Sequence, residues 1–401
     1  MNYCLLRLVD ADCNNNREYE MNQISDTQFE ASWGRIKGTK IKKIYSMKVW
    51  NKIKEKKITD GYTDVTKTVA VVKKITKYSE ISNKTVRKLV DELLKAANEH
   101  ICNSYQVDKK DVTTYMVEKA QEHIDNMNDY ANNKDLIMFN NEFQKLLLVI
   151  PQKIKCVSEI MAKDCEDMFR ICVGQQTTLD VLKSVVDIEK IEPEEEKLGT
   201  ILDMFGIEIS PCTNEEISML KKMLTSEAGT LLDSAFRVRQ YKLETRYQKY
   251  VDEHKISARD EHLLWHGTRN ENIWSIAKKG MLLNPKVITN GKRFGYGLYF
   301  APNANKSIYY TSLEGANFFY GNKKKAYMFV MKVAYQKPLN VYNDCGFEYF
   351  SFREKDIKKH KCDALYCHES WSEDDEIVVY NEAQVCPNYL LVLKKDTKKT
   401  A

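Results

Sequence analysis

From Val86 to Ile101 the apolar residues Val86, Leu89, Val90, Leu93, Leu94, Ala97 and Ile101 recur three and four apart, a stripe that only an α-helix brings to one face. Stretches on either side follow the other period. Tyr3 to Val9 alternates as a strand, and short strand-like runs return at His262 to Trp265, Ala326 to Tyr335 and Tyr389 to Leu393. A chain of 401 residues that changes period in this way folds as roughly two to four domains, each with its own core.

The first 75 residues read as a small β-rich unit with one helix. Asn14-Asn15-Asn16 makes a turn, a second strand passes through Tyr19, Met21 and Gln23, and Phe29 to Ile36 forms a third that contains Trp33-Gly34-Arg35. Val49, Trp50 and Ile53 then take helical spacing, and Gly61 after Asp60 suits a helix stop. The helical middle follows, with Ser82 as a candidate N-cap and further stripes at Val112-Met116-Ala120-Ile124, Leu136-Phe139-Phe143-Leu147 and Leu179-Leu182-Val186; Pro151 ends the third helix of this series. Pro193-Glu194-Glu195-Glu196 reads as a linker. Beyond it come a helix around Glu215 to Leu224 and short strands at Ala235 to Leu243, His262 to Trp265, Gly297 to Phe300, Ala326 to Tyr335, Leu339 to Tyr342, Ile377 to Tyr380 and Tyr389 to Leu393. Long connections between short strands point to α+β with antiparallel sheets rather than alternating parallel units.

Net charge is small at +5, so its distribution matters more than its sum. Ten basic residues fall between Arg35 and Lys57 against one acidic residue, Glu55. Such a run either attracts phosphate backbones or is plain solvated surface. The eleven cysteines are scattered without Cys-x-x-Cys spacing, which fits reduced thiols in an intracellular protein. His360, Cys362, Cys367 and His368 are possible zinc ligands, but they crowd into nine residues without the usual paired arms, so no metal is expected. No stretch approaches the roughly 18 apolar residues of a membrane span.

Chemistry concentrates in Trp265-His266-Gly267-Thr268, in Phe294-Gly295-Tyr296-Gly297-Leu298-Tyr299-Phe300-Ala301 and in Asp375-Glu376-Ile377-Val378-Val379-Tyr380. Each piece alone has an ordinary explanation: a turn, strand filling, an acidic loop running from Glu373. With Lys306-Ser307-Ile308-Tyr309-Tyr310 after the second segment and Asn381-Glu382-Ala383-Gln384-Val385 after the third, the stretch from Leu263 to Val392 resembles the catalytic domain of the poly(ADP-ribose) polymerase branch of the ADP-ribosyltransferases. The N-terminal order of Asn-rich turn, strands, Trp33-Gly34-Arg35 and basic helix resembles the WGR domain. Asn140-Asn141-Glu142-Phe143, Leu147 to Pro151 and Val185-Val186-Asp187-Ile188-Glu189 resemble the helical regulatory domain of DNA-dependent members.

The resemblance implies a multidomain chain: a small β-rich WGR-like DNA-binding domain over 1–78, an all-α helical regulatory bundle over 79–192 and an α+β ADP-ribosyltransferase domain with antiparallel sheets over 193–401. It implies NAD as a consumed donor and no metal. Gly267 and Ser307 would hold the nicotinamide carboxamide, Tyr299 and Tyr310 would stack on its ring, and His266 would bind the adenine-side ribose. Glu376 would hold the 2′-hydroxyl and stabilise the oxocarbenium-like transition state, making Glu376, His266 and Tyr299 the catalytic trio. Trp33, Arg35, Lys37, Lys40, Lys42 and Lys43 would face DNA ends or nicks. Further implications are protein acceptors including the chain itself, a monomer, no membrane association, and a nuclear role in the DNA damage response. Leu282 stands where an arginine is common, Tyr296 where close relatives carry lysine, and Ile377 where an aromatic is common; these bear on the adenosine and acceptor sides. Mono-ADP-ribosylation and a silent DNA-end-binding scaffold are the alternatives.

Overall fold

Alternation in the first 35 residues produces three antiparallel strands: β1 (Tyr3–Asp10), β2 (Asn15–Gln23) and β3 (Gln28–Arg35). The computed structural model describes residues 2–68, 78–107, 111–186, 199–283, 293–316, 318, 320–342, 349, 352–369 and 374–395. Those residues divide into two units, one of 2–68 with 99–186 and another of 78–98 with everything described from 199 onward. The expected linker at Pro193 to Glu196, and Asp187 to Glu189 of the helical resemblance, lie outside the described residues.

In the first unit β4 (Ile41–Ser46), α1 (Trp50–Thr59) and β5 (Thr63–Asp64) complete a sheet of order β4-β3-β2-β1-β5. Cys4, Leu6, Tyr19, Met21, Phe29 and Ala31 form its buried face, covered by Trp50 and Ile53 from α1. Asn14 turns the first hairpin in the left-handed region at φ 48°, which asparagine tolerates well, and Gly61 follows α1 at φ +91°. β4 is a departure from the sequence reading. Ile41 and Ile44 are 61% and 55% exposed, so this edge strand has no buried face to create an alternating signal.

α2 (Lys84–Ser104) begins one residue later than a Ser82 cap would place it: the Asn83 side chain accepts from the backbone N–H groups of Thr85 and Val86 at 3.0 and 3.1 Å. Thr113 and Asp135 cap α3 (Thr114–Asn132) and α4 (Leu136–Val149), and Pro151 follows the latter. After the short α5 (Val157–Ile160) comes α6 (Cys165–Val186). Within the first unit the sheet is hydrogen-bonded to α4. Arg7 donates to Leu148 O at 2.9 Å, and Ala11 N to Gln144 Oε1 at 3.1 Å.

The second unit continues with α7 (Ile201–Phe205), β6 (Ile207–Pro211), α8 (Asn214–Met223), α9 (Ser226–Thr230), β7 (Leu232–Gln240) and α10 (Tyr241–His254). The sequence pattern extends β7 to Leu243; instead Gln240 accepts from Leu243 N at 2.8 Å and starts α10. Then come β8 (Glu261–Gly267), α11 (Ile273–Lys279), β9 (Leu298–Phe300), α12 (Ala304–Ile308), β10 (Lys325–Ala334), β11 (Pro338–Tyr342), α13 (Glu354–Lys359), β12 (Ala364–His368), β13 (Glu376–Val379) and β14 (Val385–Lys394). One sheet runs β6-β7-β14-β10-β8 and is antiparallel throughout; the other runs β11-β12-β13-β9. Its β11–β12 pair is parallel, a local exception to the antiparallel expectation, with α13 in the crossover between the two strands.

Trp265, fully buried, joins the sheets: its N–H and C=O bond to Ala301 O and N at 2.9 and 3.0 Å. Leu220, Ala235, Met328, Val330, Leu391 and Leu393 pack in the same cluster. The joint places the end of β8 beside β9, and β9 pairs on its other side with β13.

Candidate active site

β9 is the meeting point of the three candidate catalytic residues. The Tyr299 carbonyl accepts from His266 Nδ1 at 3.1 Å, and Tyr299 stands opposite Val378, two residues after Glu376, in the β9–β13 register. A carbonyl oxygen only accepts, so Nδ1 carries the ring proton and Nε2 keeps a lone pair. Burial pushes the imidazole down to about 4, and His266 is therefore neutral at physiological pH. The ring can accept a hydroxyl hydrogen bond at Nε2 without bringing charge.

Gly267 ends β8 against the backbone of α12. A Cβ at this position would lie 1.7 Å from Ser307 O and 2.7 Å from Ser307 C. Glycine is required here for space, and its absence of side chain brings His266, Gly267 and Ser307 together. Ser307 is 4% exposed, and its carbonyl accepts from Tyr310 N at 3.1 Å.

The Tyr299 hydroxyl accepts from Phe294 N at 3.0 Å and donates to Gly295 O at 2.9 Å. Its ring is thus fixed by its own preceding loop. Gly295 turns that loop at φ +73° and leaves room for Phe352 O, which a Cβ would approach to 2.3 Å. Tyr380, 2% exposed, donates to Phe294 O at 2.7 Å and anchors the loop from β13's end. Tyr310 is partly buried, and burial first, then the nearby Glu376 carboxylate, pushes its phenol up to about 12. Both tyrosines stay protonated at neutral pH and present flat rings.

Glu376 opens β13 with its side chain 14% exposed. Burial raises its carboxyl above the usual range, and the ammonium of Lys306, 3.6 Å away, works against that rise, followed by Arg293. Lys306 is itself 4% exposed and also donates to Asp374 O at 3.3 Å. The sequence alone assigns Lys306 no role, because nothing local to the 306–310 segment points to a carboxylate seventy residues on. The acidic stretch before Glu376 is not simply solvated: Asp374 accepts from Asn303 Nδ2 at 2.9 Å, and Asp375 from Tyr366 and Glu369 N at 2.7 and 3.1 Å. Glu373 lies outside the described residues. Tyr296 is buried, with the Arg353 guanidinium 4.2 Å from its ring centroid, so a cation occupies this neighbourhood although position 296 itself is not basic.

The DNA-facing candidates lie in the first unit. Trp33 stacks on Tyr19 at 5.5 Å, Arg35 donates to Lys155 O at 2.7 Å, Lys40 pairs with Glu18, and Lys42 pairs with Glu30 at 2.9 Å. The Lys43 ammonium lies 5.2 Å from the Tyr45 ring centroid, and Lys37 takes φ 57° on the surface. Arg35 is thus committed to an exposed contact within its own unit, 120 residues away, that no local pattern announces. Of the possible zinc ligands, Cys367 is buried on β12 while His368, on the opposite face, stacks on Tyr366 and Tyr342 and bonds Asn340 through Nε2 at 3.0 Å.

Residues 214–395 match the poly(ADP-ribose) polymerase catalytic domain, a span that contains every catalytic candidate. A domain of this kind indicates an NAD+ ADP-ribosyltransferase, with NAD as its substrate. The chain is similar to Uncharacterized protein 101L of Invertebrate iridescent virus 6, 27% identical over 230 residues that make up 56% of this chain and 96% of that protein. It is similar also to the putative poly [ADP-ribose] polymerase-like 100L of the same virus, 30% identical over 106 residues, covering 24% of this chain and 58% of that one. Poly [ADP-ribose] polymerase 2 of Zea mays is 32% identical over 105 residues, 24% of this chain and 15% of the plant protein. Matches to the two named polymerases thus span 58% and 15% of their lengths, below two thirds in both. Among the described residues no helix is long and apolar enough to cross a membrane.

Proposed function

We propose that the protein is a DNA-dependent poly(ADP-ribose) polymerase that transfers ADP-ribose from NAD to protein acceptors and extends the chain. The observation that carries the catalytic part is the arrangement around β9: one short strand holds Tyr299, accepts a hydrogen bond from His266 and pairs with the strand of Glu376. In this reading neutral His266 accepts from the adenine-side ribose, Gly267 and Ser307 hold the carboxamide, and the rings of Tyr299 and Tyr310 take the nicotinamide. Glu376 accepts from the 2′-hydroxyl of the reacting ribose and offsets the positive charge that develops as the glycosidic bond breaks. Electrons of that bond leave with nicotinamide, a good leaving group, and no strong acid is needed.

The regulatory part rests on the first unit, its sheet with Trp33 and the lysines, the helix α4 that Arg7 bonds and the segment before α5 that Arg35 bonds. Domain limits of 1–78, 79–192 and 193–401 belong to the same proposal, as does a nuclear location. DNA ends act through a difference in affinity between closed and open states. Labelled NAD incubated with the full chain, with and without nicked or broken DNA, is expected to give incorporation that rises with DNA and runs as a ladder on a gel. No incorporation under either condition removes the catalytic reading, equal incorporation removes the DNA dependence, and a single added unit makes the enzyme a mono-transferase.

Lys306 gives a pH-dependent check. Its ammonium favours the ionised form of Glu376, so Lys306→Met leaves burial unopposed at that contact and raises the carboxyl further. Transfer needs the carboxylate, and the acidic limb of the rate–pH profile is expected to move to higher pH. A limb that stays in place in this variant shows that the pair does not control ionisation.

A further inference from the structure

We propose that Phe318 is a positioning residue that sets the plane of Tyr310 and thereby the affinity of the pocket for NAD; the proposal rests on the reading of Tyr310 as a nicotinamide platform. The Phe318 ring stacks on Tyr310 at 4.6 Å between centroids and 18° between planes. Tyr309 meets the same ring edge-on at 6.1 Å and 75°, and Phe318 N donates to Tyr309 O at 3.2 Å. Three rings therefore brace one another immediately after α12.

The backbone that delivers Phe318 is closed at its base. Leu313 and Lys323 form a bridge, Glu314 N donates to Lys323 O at 2.8 Å, and Gly321 N donates to Ala316 O at 3.1 Å. Two positions need glycine: Gly315 takes φ +87°, and a Cβ on Gly321 would lie 2.0 Å from Leu313 O. Closed loops of this kind hold their ends together and carry function at the apex.

Phe318 is 49% exposed, whereas Ser307 and Lys306 are buried. Its ring covers one face of Tyr310, and in this proposal the opposite face is left for a ligand. A ring held in plane before binding loses less freedom when nicotinamide stacks on it. An aromatic pair of this geometry is worth about two- to tenfold in an equilibrium constant.

Steady-state nicotinamide release by the full chain tests this with F318A, F318L and F318Y. Both the Ala and Leu variants are expected to raise KM for NAD about two- to tenfold while kcat stays within about twofold, and Tyr is expected to restore the wild-type KM. The Leu variant keeps bulk at the site and separates loss of the ring from loss of the loop. An unchanged or lowered KM in both overturns the proposal, including the case in which only the unfolding midpoint falls. Wild-type protein that releases no nicotinamide at any NAD concentration refutes the platform reading itself, and the proposal with it.

Discussion

Glu376→Gln is expected to leave NAD binding intact and to lower transfer about a hundredfold, close to 3 kcal/mol of transition-state stabilisation. Glutamine keeps an oxygen that can accept from the ribose hydroxyl, so the ground-state contact survives. What it cannot supply is negative charge beside the ribose as the bond to nicotinamide breaks. The surroundings make that charge effective: the side chain is 14% exposed, and its neighbouring cation is held 3.6 Å away by a lysine that is also bonded to Asp374 O. In a site with little water a fixed charge acts with less screening than it would at the surface. Removing the negative charge beside the buried Lys306 ammonium adds a stability cost, and the unfolding midpoint must be measured beside the rate. Thermal stabilisation by NAD reports binding, and nicotinamide release with product length reports transfer. Transfer within about threefold of wild type in a folded variant would show that Glu376 is not the charge that matters.

Much of this site was legible because its residues sit at positions where backbone geometry restricts the choice. His266-Gly267 could be read as a strand end because only glycine lets α12 approach, and Gly295-Tyr296-Gly297-Leu298-Tyr299 because its first glycine turns at positive φ before a strand. Long apolar runs such as β10 and β14 announce themselves through burial on both faces. Less was legible where one element runs straight into the next or buries no face. α10 buries Leu243, Tyr247, Tyr250 and Val251 at helical spacing, but it begins directly after β7 ends at Gln240, so its first turn reads as a continuation of the strand. β4 exposes nearly everything it carries. The partnership of Lys306 with Glu376 links residues seventy apart, and a lysine one position before a serine says nothing locally about a carboxylate. Phe318 shows the same limit, since its stacking on Tyr310 follows from loop closure rather than spacing.

Gly267→Ala is expected to abolish detectable transfer and to destabilise the second unit by roughly 3 kcal/mol, the upper part of the range for forcing extra atoms into a packed site. The obstacle at Gly267 is the Ser307 carbonyl and the backbone behind it, and a peptide carbonyl moves only with its helix. Relief at Gly267 requires the end of β8 to part from α12, and that separation pulls His266 and Gly267 away from Ser307. Trp265, two residues back, is hydrogen-bonded through both backbone groups to Ala301, so β8 cannot simply shift as a whole. Both the fold and the site should therefore suffer from one methyl group. Calorimetric or fluorescence-monitored unfolding measures the first effect and nicotinamide release the second. A Gly267→Ala protein that unfolds and turns over like wild type would mean that β8 and α12 do not approach as closely in solution as 1.7 Å implies.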